Sequence, residues 1–326
     1  MTAGIAVLDF GGPQRPPELV PFLTALLEDV LPGPRWLRRL VAPRLARARA
    51  RRVGPQYAAI GWSPLVPTHR RQVAALREAL GPDAPPIVSG MMFTPPTMDE
   101  AAGELRSAGV DRIVVLPMFP HPSLATTHAA FGFFAAALER AGLDGRPTHR
   151  IEGYADHPEY VAALSATIRA GVQATPGPVD EPIHLVFSPH GLPVSWVERR
   201  GDRYPEHVRR TVGVVLAALD WTGPAHVGWQ SRVGPVRWLE PSTPQVLEAI
   251  GRSGGRRVCL VPVSFVSEHI ETLYEIDVEY RRLAAEVGIP HFGRAPALGT
   301  EPAFVRCLAD LARAGLAHLD RAAGAA

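Results

Sequence analysis

Glu271, Glu275 and Glu279 recur at every fourth residue, and His269 stands just ahead of the first of them. Residues four apart share one face of an α-helix, although such a column drifts by about 40° per step. A wider π-type turn would align it better, and π-turns occur preferentially at functional sites. Between Val263 and Arg281 the only basic residue is His269, so pairing within the helix cannot neutralise these carboxylates. Carboxylates beside an imidazole suit a divalent cation or a proton relay. The competing reading is a solvated acidic face at a helix start, where the dipole favours negative charge.

Three other polar segments follow apolar, strand-like runs. In Phe187-Ser-Pro-His-Gly-Leu-Pro193 the imidazole sits at a strand end, and Gly and Pro then turn the chain. His190 there could be a general base, a neutral metal ligand, or a structural histidine. The loop that starts at Trp229 carries Arg232, Arg237 and Trp238. These would suit a flat aromatic ligand bearing acid groups, or a packed loop pinned by prolines. The third segment, residues 116–128, is Pro-stiffened and leads into a helix.

Elements that could position these groups alternate along the chain. Apolar runs at 5–8, 87–90, 113–118, 184–188, 225–230 and 258–263 read as strands. Helical patterns fall at 19–30, 67–80, 98–108, 126–141, 158–173, 205–219 and 268–287. This is the α/β pattern of parallel sheets flanked by helices. A Pro/Gly-rich stretch at 175–182 divides it, giving two similar Rossmann-like lobes, 1–174 and 175–326, with a cleft between them. Ligands of such sheets lie beyond the carboxyl ends of the strands, where all the polar motifs are.

Composition narrows the classes. With 46% hydrophobic and 20% charged residues the chain is a folded protein, and a net charge of +2 names no nucleic-acid partner. All 34 basic residues are Arg. Many of them gather at 35–52, a basic amphipathic helix interrupted by Pro43. That stretch could touch an anionic membrane, rim an anion pocket, or simply be solvated. Cys259 and Cys307 are the only cysteines and lie in apolar segments. They read as buried free thiols and cannot supply the four thiolates of an ordinary iron–sulfur cluster. The start has no basic leader and no run approaches a membrane span, so the expected location is cytoplasmic.

Together, Ser188-Pro-His-Gly-Leu-Pro193, Gln230-Ser-Arg-Val-Gly-Pro235 with Trp238-Leu239, and Ser267-Glu-His-Ile-Glu-Thr-Leu-Tyr-Glu275 resemble the ferrochelatase family. The likeness runs from Gly11-Gly-Pro13 to about residue 300. It implies two Rossmann-like lobes with a porphyrin between them and Fe2+ as the metal inserted. It also implies that His190 and Glu271 flank the porphyrin centre, that His269 supports Glu271, and that Glu275 and Glu279 continue a carboxylate path for metal or protons. Trp238 matches a pocket aromatic, and Phe10, Ser63, Met92, Phe93 and Arg232 fall within the implied pocket.

The chain departs from the family pattern in places. The loop Tyr57…Ile60-Gly61…Ser63-Pro64-Leu65 is one residue shorter. Met92 and Phe93 stand where Arg and Tyr are common, and Phe119-Pro-His-Pro-Ser123 replaces Tyr-Pro-Gln-Tyr-Ser. Phe10 stands where some coproporphyrin-using members have a tyrosine ligand. The activity that the resemblance implies is Fe2+ insertion into protoporphyrin IX. Coproporphyrin III as the substrate, and non-enzymatic haem handling, are the alternatives. No prosthetic group is implied, and the chain would act as a monomer or homodimer.

Overall fold

A computed structural model describes residues 2–232 and 234–324. Strands β1 (Ala3–Asp9), β2 (Ile87–Met91), β3 (Arg112–Pro117) and β4 (Thr148–Arg150) form one parallel sheet, in the order β2-β1-β3-β4. Between β1 and β2 run α1 (Leu19–Val30), α2 (Arg35–Ala59) and α3 (Leu65–Leu80). Helix α4 (Met98–Ser107) joins β2 to β3, and α5 (Thr127–Arg140) joins β3 to β4. Helix α6 (Pro158–Ala174) then leads into the second half.

The second half repeats this plan. Strands β5 (Ile183–Phe187), β6 (Ala225–Val227), β7 (Arg257–Val261) and β8 (His291–Arg294) form a parallel sheet ordered β6-β5-β7-β8. Its connections are α7 (Val194–Arg200) with α8 (Tyr204–Ala218), then α9 (Thr243–Arg252), then a π-helix (Glu271–Tyr280) continuing as α10 (Arg281–Glu286). Helix α11 (Pro302–Gly324) follows β8 and packs back on α3, β3 and β4 of the first half.

Alternation along the strands explains the layers. Ile5 and Val7 of β1 join Leu185 and Phe187 of β5 in one core, filled by Tyr160, Leu164 and Ile168 of α6 and by Phe304 and Leu308 of α11. Ala6 and Leu8 face the other way, beneath α1, α4 and α5. Val186, Val258 and Leu260 likewise face α9 and α10. Helix α6 approaches the end of β8 closely, and a Cβ on Gly171 would stand 2.6 Å from the Ala295 Cα. Backbone cannot yield as a side chain can, so Gly171→Ala is expected to destabilise by about 1–3 kcal/mol. The check is the midpoint of urea unfolding, and an unchanged midpoint would refute this close packing.

Among the described residues six of the eight strands coincide with the apolar runs, while β4 and β8 were not anticipated. Their sequences, Thr-His-Arg and His-Phe-Gly-Arg, contain no apolar run. Helix α2 does not break at Pro43 but runs through it. A proline there removes one backbone bond, yet fully buried Ala42 and Ala46 fix the flanking turns. The anticipated helix at 268–287 begins at Glu271, and its first ten residues are a π-helix.

Candidate functional site

The order β6-β5-β7-β8 reverses direction between β5 and β7. A doubly wound sheet opens its ligand crevice at such a switch point. His190 lies three residues beyond β5, and Glu271 opens the segment that follows β7. Their side chains meet there, with His190 Nε2 3.6 Å from Glu271 Oε1 and each about one-third exposed. That separation is too long for a hydrogen bond. The two groups stand within ion-pair distance of each other, and solvent reaches both.

Neighbouring backbone fixes the imidazole. His190 Nδ1 lies 2.6 Å from the Gly191 carbonyl oxygen. A carbonyl can only accept, so Nδ1 carries a proton and Nε2 is the ring nitrogen turned to Glu271. The Gly191 N–H donates to the Gln230 carbonyl at 2.8 Å, and the Gln230 N–H to the Pro189 carbonyl at 2.9 Å. Gly191 is required by this closeness, since a Cβ would come within 2.9 Å of the Gln230 oxygen and 3.3 Å of the Trp238 ring. The Trp238 ring itself lies 6.4 Å from that of His190.

Gln230 ties the strand ends to the π-helix. Its Oε1 accepts from Ser188 at 2.7 Å, and its Nε2 donates to the Glu271 carbonyl at 3.3 Å. The Glu271 N–H donates to His269 Nδ1 at 3.1 Å, so the His269 proton sits on Nε2. Burial pushes the His269 imidazole down despite the pull of Glu271 and Glu268, which keeps it neutral. Phe265 covers it edge-on at 4.4 Å.

The other two carboxylates are turned to separate partners. Glu275 accepts from the Ser231 N–H at 2.9 Å, and also from the Ser231 and Tyr280 hydroxyls. Burial first, and the Glu271 charge second, push its carboxyl up, and these donors offset only part of that. Glu279 faces α2, where Gln56 Nε2 donates to it at 3.4 Å. Among the described residues no three His, Cys, Asp or Glu side chains gather in metal-holding geometry. His190, Glu271, Glu275 and Glu279 thus line a path and do not close round one point.

The first lobe contributes an apolar wall. Phe10, at the end of β1, meets Phe93 edge-on at 4.8 Å, and Phe93 meets Phe133 at 5.8 Å. Ile270, beside Glu271, packs against this core, so the pair lies at the seam between lobes. Met92, Phe93 and Ser63 are themselves buried. Ser63 packs against Gly12 and receives the Leu65 N–H at 3.4 Å. Arg232 turns to Glu240 of its own loop and to Gln245 of α9, 3.4 Å from each. An open depression of about 830 Å3 lies elsewhere, by Arg77, Ile87 and Glu104, and includes none of these groups.

Sequence reading missed Gln230 and Tyr280 as anchors. Tyr280 follows Glu275 by five residues, the spacing that a π-turn brings together. That interval was visible in the sequence.

Two parallel sheets with matching switch points make this a two-lobed chelatase fold. SirB from Bacillus subtilis with Fe3+ matches with a TM-score of 0.56 at 14% identity, covering 96% of this chain and 95% of that one. SirB in complex with cobalt, from Bacillus subtilis subspecies spizizenii, gives 0.55 at 12%, covering 96% and 94%. At the sequence level, a family model described as ferrochelatase matches residues 2–316. The ferrochelatase of Geotalea uraniireducens is 38% identical over 311 residues, 94% of this chain and 96% of that protein. That of Thermosynechococcus vestitus is 38% identical over 322 residues, covering 96% and 82%. The chain belongs to the ferrochelatase family, whose members are metal-chelatase enzymes.

Proposed function

We propose that the protein inserts Fe2+ into protoporphyrin IX, releasing two protons. The observation that carries this reading is the approach of His190 Nε2 to Glu271 Oε1, 3.6 Å apart at the seam, with both side chains partly open to solvent. A free-base porphyrin loses two pyrrole protons as the metal enters. His190 Nε2 accepts one, and Glu271 accepts the other or guides the metal. Glu275, biased towards its neutral form, and Glu279 beyond it are the next stations for a proton or a hydrated cation. The macrocycle supplies four nitrogen donors, so the protein need not assemble a complete ligand set. Trp238 and the Phe10 wall offer flat apolar surface to the ring. Iron is substrate in this scheme, and it calls on no prosthetic group. We place the reaction in the cytoplasm.

The wall favours protoporphyrin IX over coproporphyrin III. Coproporphyrin bears a carboxylate on every pyrrole, and a carboxylate against Phe10 would lose water with no cation in return. The two guanidinium groups of the Trp238 loop are already engaged, Arg232 with Glu240 and Arg237 with Glu198. Anaerobic insertion of Fe2+ into both porphyrins is the test. The expected result is a higher kcat/KM for protoporphyrin IX, and preference for coproporphyrin III would overturn the substrate assignment. A shifted Soret band without metalloporphyrin in either assay would instead indicate a haem-handling protein.

A further inference from the structure

We propose that Ser89, His69 and Asp9 form a second catalytic site, which cleaves small carboxylic esters through an acyl-Ser89 intermediate. Asp9 ends β1, His69 lies near the start of α3, and Ser89 is the middle residue of β2. Asp9 Oδ2 stands 3.2 Å from His69 Nδ1, and His69 Nε2 stands 3.1 Å from the Ser89 hydroxyl. The imidazole is fully buried and the Asp9 side chain is 5% exposed, whereas Ser89 is half-buried. A serine open to solvent, a base behind it and a carboxylate behind the base is the connectivity of an activated nucleophile. The carboxylate accepts the Nδ1 proton, which leaves Nε2 of the neutral ring to accept from Ser89. Metal insertion, as proposed above, uses none of these three groups.

The strand edge supplies the rest of the site. Strand β2 is the outer strand of its sheet. The Met92 N–H donates to the Asp9 carbonyl of β1, whereas the Met91 N–H turns outward to the Pro96 carbonyl at 2.7 Å. The Ile87 carbonyl also turns outward and accepts from Arg77 at 3.2 Å. Backbone groups alternate in direction along a strand, so the Ser89 N–H between these two faces the free edge as well. The depression of about 830 Å3 beside Arg77 runs along this edge, and its wall of Pro85, Pro86, Ile87 and Val88 stops at the residue before Ser89. Such a volume suits a small molecule, and the apolar wall suits an uncharged acyl or aryl group. Ser89 Oγ attacks the ester carbon there and passes its proton to His69 Nε2. The Ser89 N–H receives the carbonyl oxygen as it gains charge, and Asp9 steadies the imidazolium that forms. The adduct expels the alcohol, which takes the proton from Nε2. Water then repeats the sequence, releasing the carboxylic acid and free Ser89.

The experiment treats the full chain, without porphyrin or added metal, first with a fluorophosphonate probe and separately with p-nitrophenyl acetate. The probe is expected to phosphonylate Ser89 with loss of fluoride, as located by peptide mass spectrometry. Ser89→Ala is expected to lose the label and to hydrolyse the ester no faster than buffer does. Asp9→Asn tests the base. The Phe10 N–H donates to Asp9 Oδ1 at 2.7 Å, so the Asn oxygen must stay there and its NH2 must face His69 Nδ1. The ring proton is then forced onto Nε2, which can no longer accept from Ser89. Ester turnover should fall about a hundred- to ten-thousandfold, with labelling slowed in step. Circular dichroism of both variants should match the native spectrum. A native chain that takes no label, label on other residues only, ester turnover unchanged in Ser89→Ala, or normal turnover in Asp9→Asn would each overturn the proposal. The first two of these outcomes need no variant to fold.

Discussion

Replacing His190 by Ala is expected to slow metal insertion by about a hundred- to ten-thousandfold, the range for losing a positioned general base. Porphyrin affinity should stay roughly unchanged, because Trp238 and the Phe10 wall remain. Stability should change little, since the side chain is about one-third exposed and makes one hydrogen bond of its own, to Gly191. His190→Asn separates base from scaffold. Its amide can still donate to the Gly191 carbonyl, yet it presents no basic atom to Glu271. If Nε2 takes the pyrrole proton, Asn should be as slow as Ala. Near-normal turnover by either variant, at saturating iron and porphyrin, would remove His190 from the chemistry.

What could be read from the sequence followed from the range of each interaction. Buried parallel strands need continuous apolar runs, so β1, β3 and β7 announce themselves. His190 and Glu271 were visible because a strand end, a turn and a polar residue are all local features. Edge strands β4 and β8 are short and polar, and only pairing with a neighbour makes them strands. The return of α11 to the first sheet is a tertiary choice, since an amphipathic helix specifies a face but not its partner. The same limit applied inside the site. Spacing places Glu275 and Glu279 on the helix after Glu271, but not that Ser231 and Tyr280 hold one and Gln56 the other. Arg232 matched a pocket position, and its contacts turn it to Glu240 instead.

The π-helix needs a firm start if Glu271 is to face His190, and Arg294 provides it. Its guanidinium donates to Glu268 Oε1 at 2.8 Å and grips both oxygens of Asp277 at 2.9 and 3.0 Å. These two carboxylates bracket Glu271, one before the helix and one within it. Arg294 is only 11% exposed and Glu268 25%. Arg294→Met keeps most of the volume and strands two half-buried carboxylates, so a loss of about 3–5 kcal/mol is expected at neutral pH. The pH dependence identifies the cause. Burial alone would raise the Glu268 carboxyl, but Arg294 and hydrogen bonds from Thr272 and Ala297 hold it below its ordinary 4.5. A depressed pKa contributes stability above the unfolded value and loses it as pH falls through the folded value. Without Arg294 burial prevails, the carboxyl is raised, and the variant recovers stability as acid neutralises it. The gap between wild type and variant in urea unfolding should therefore narrow from pH 7 towards 4.5. A gap of constant size would mean that lost packing, and not stranded charge, is what the substitution removes.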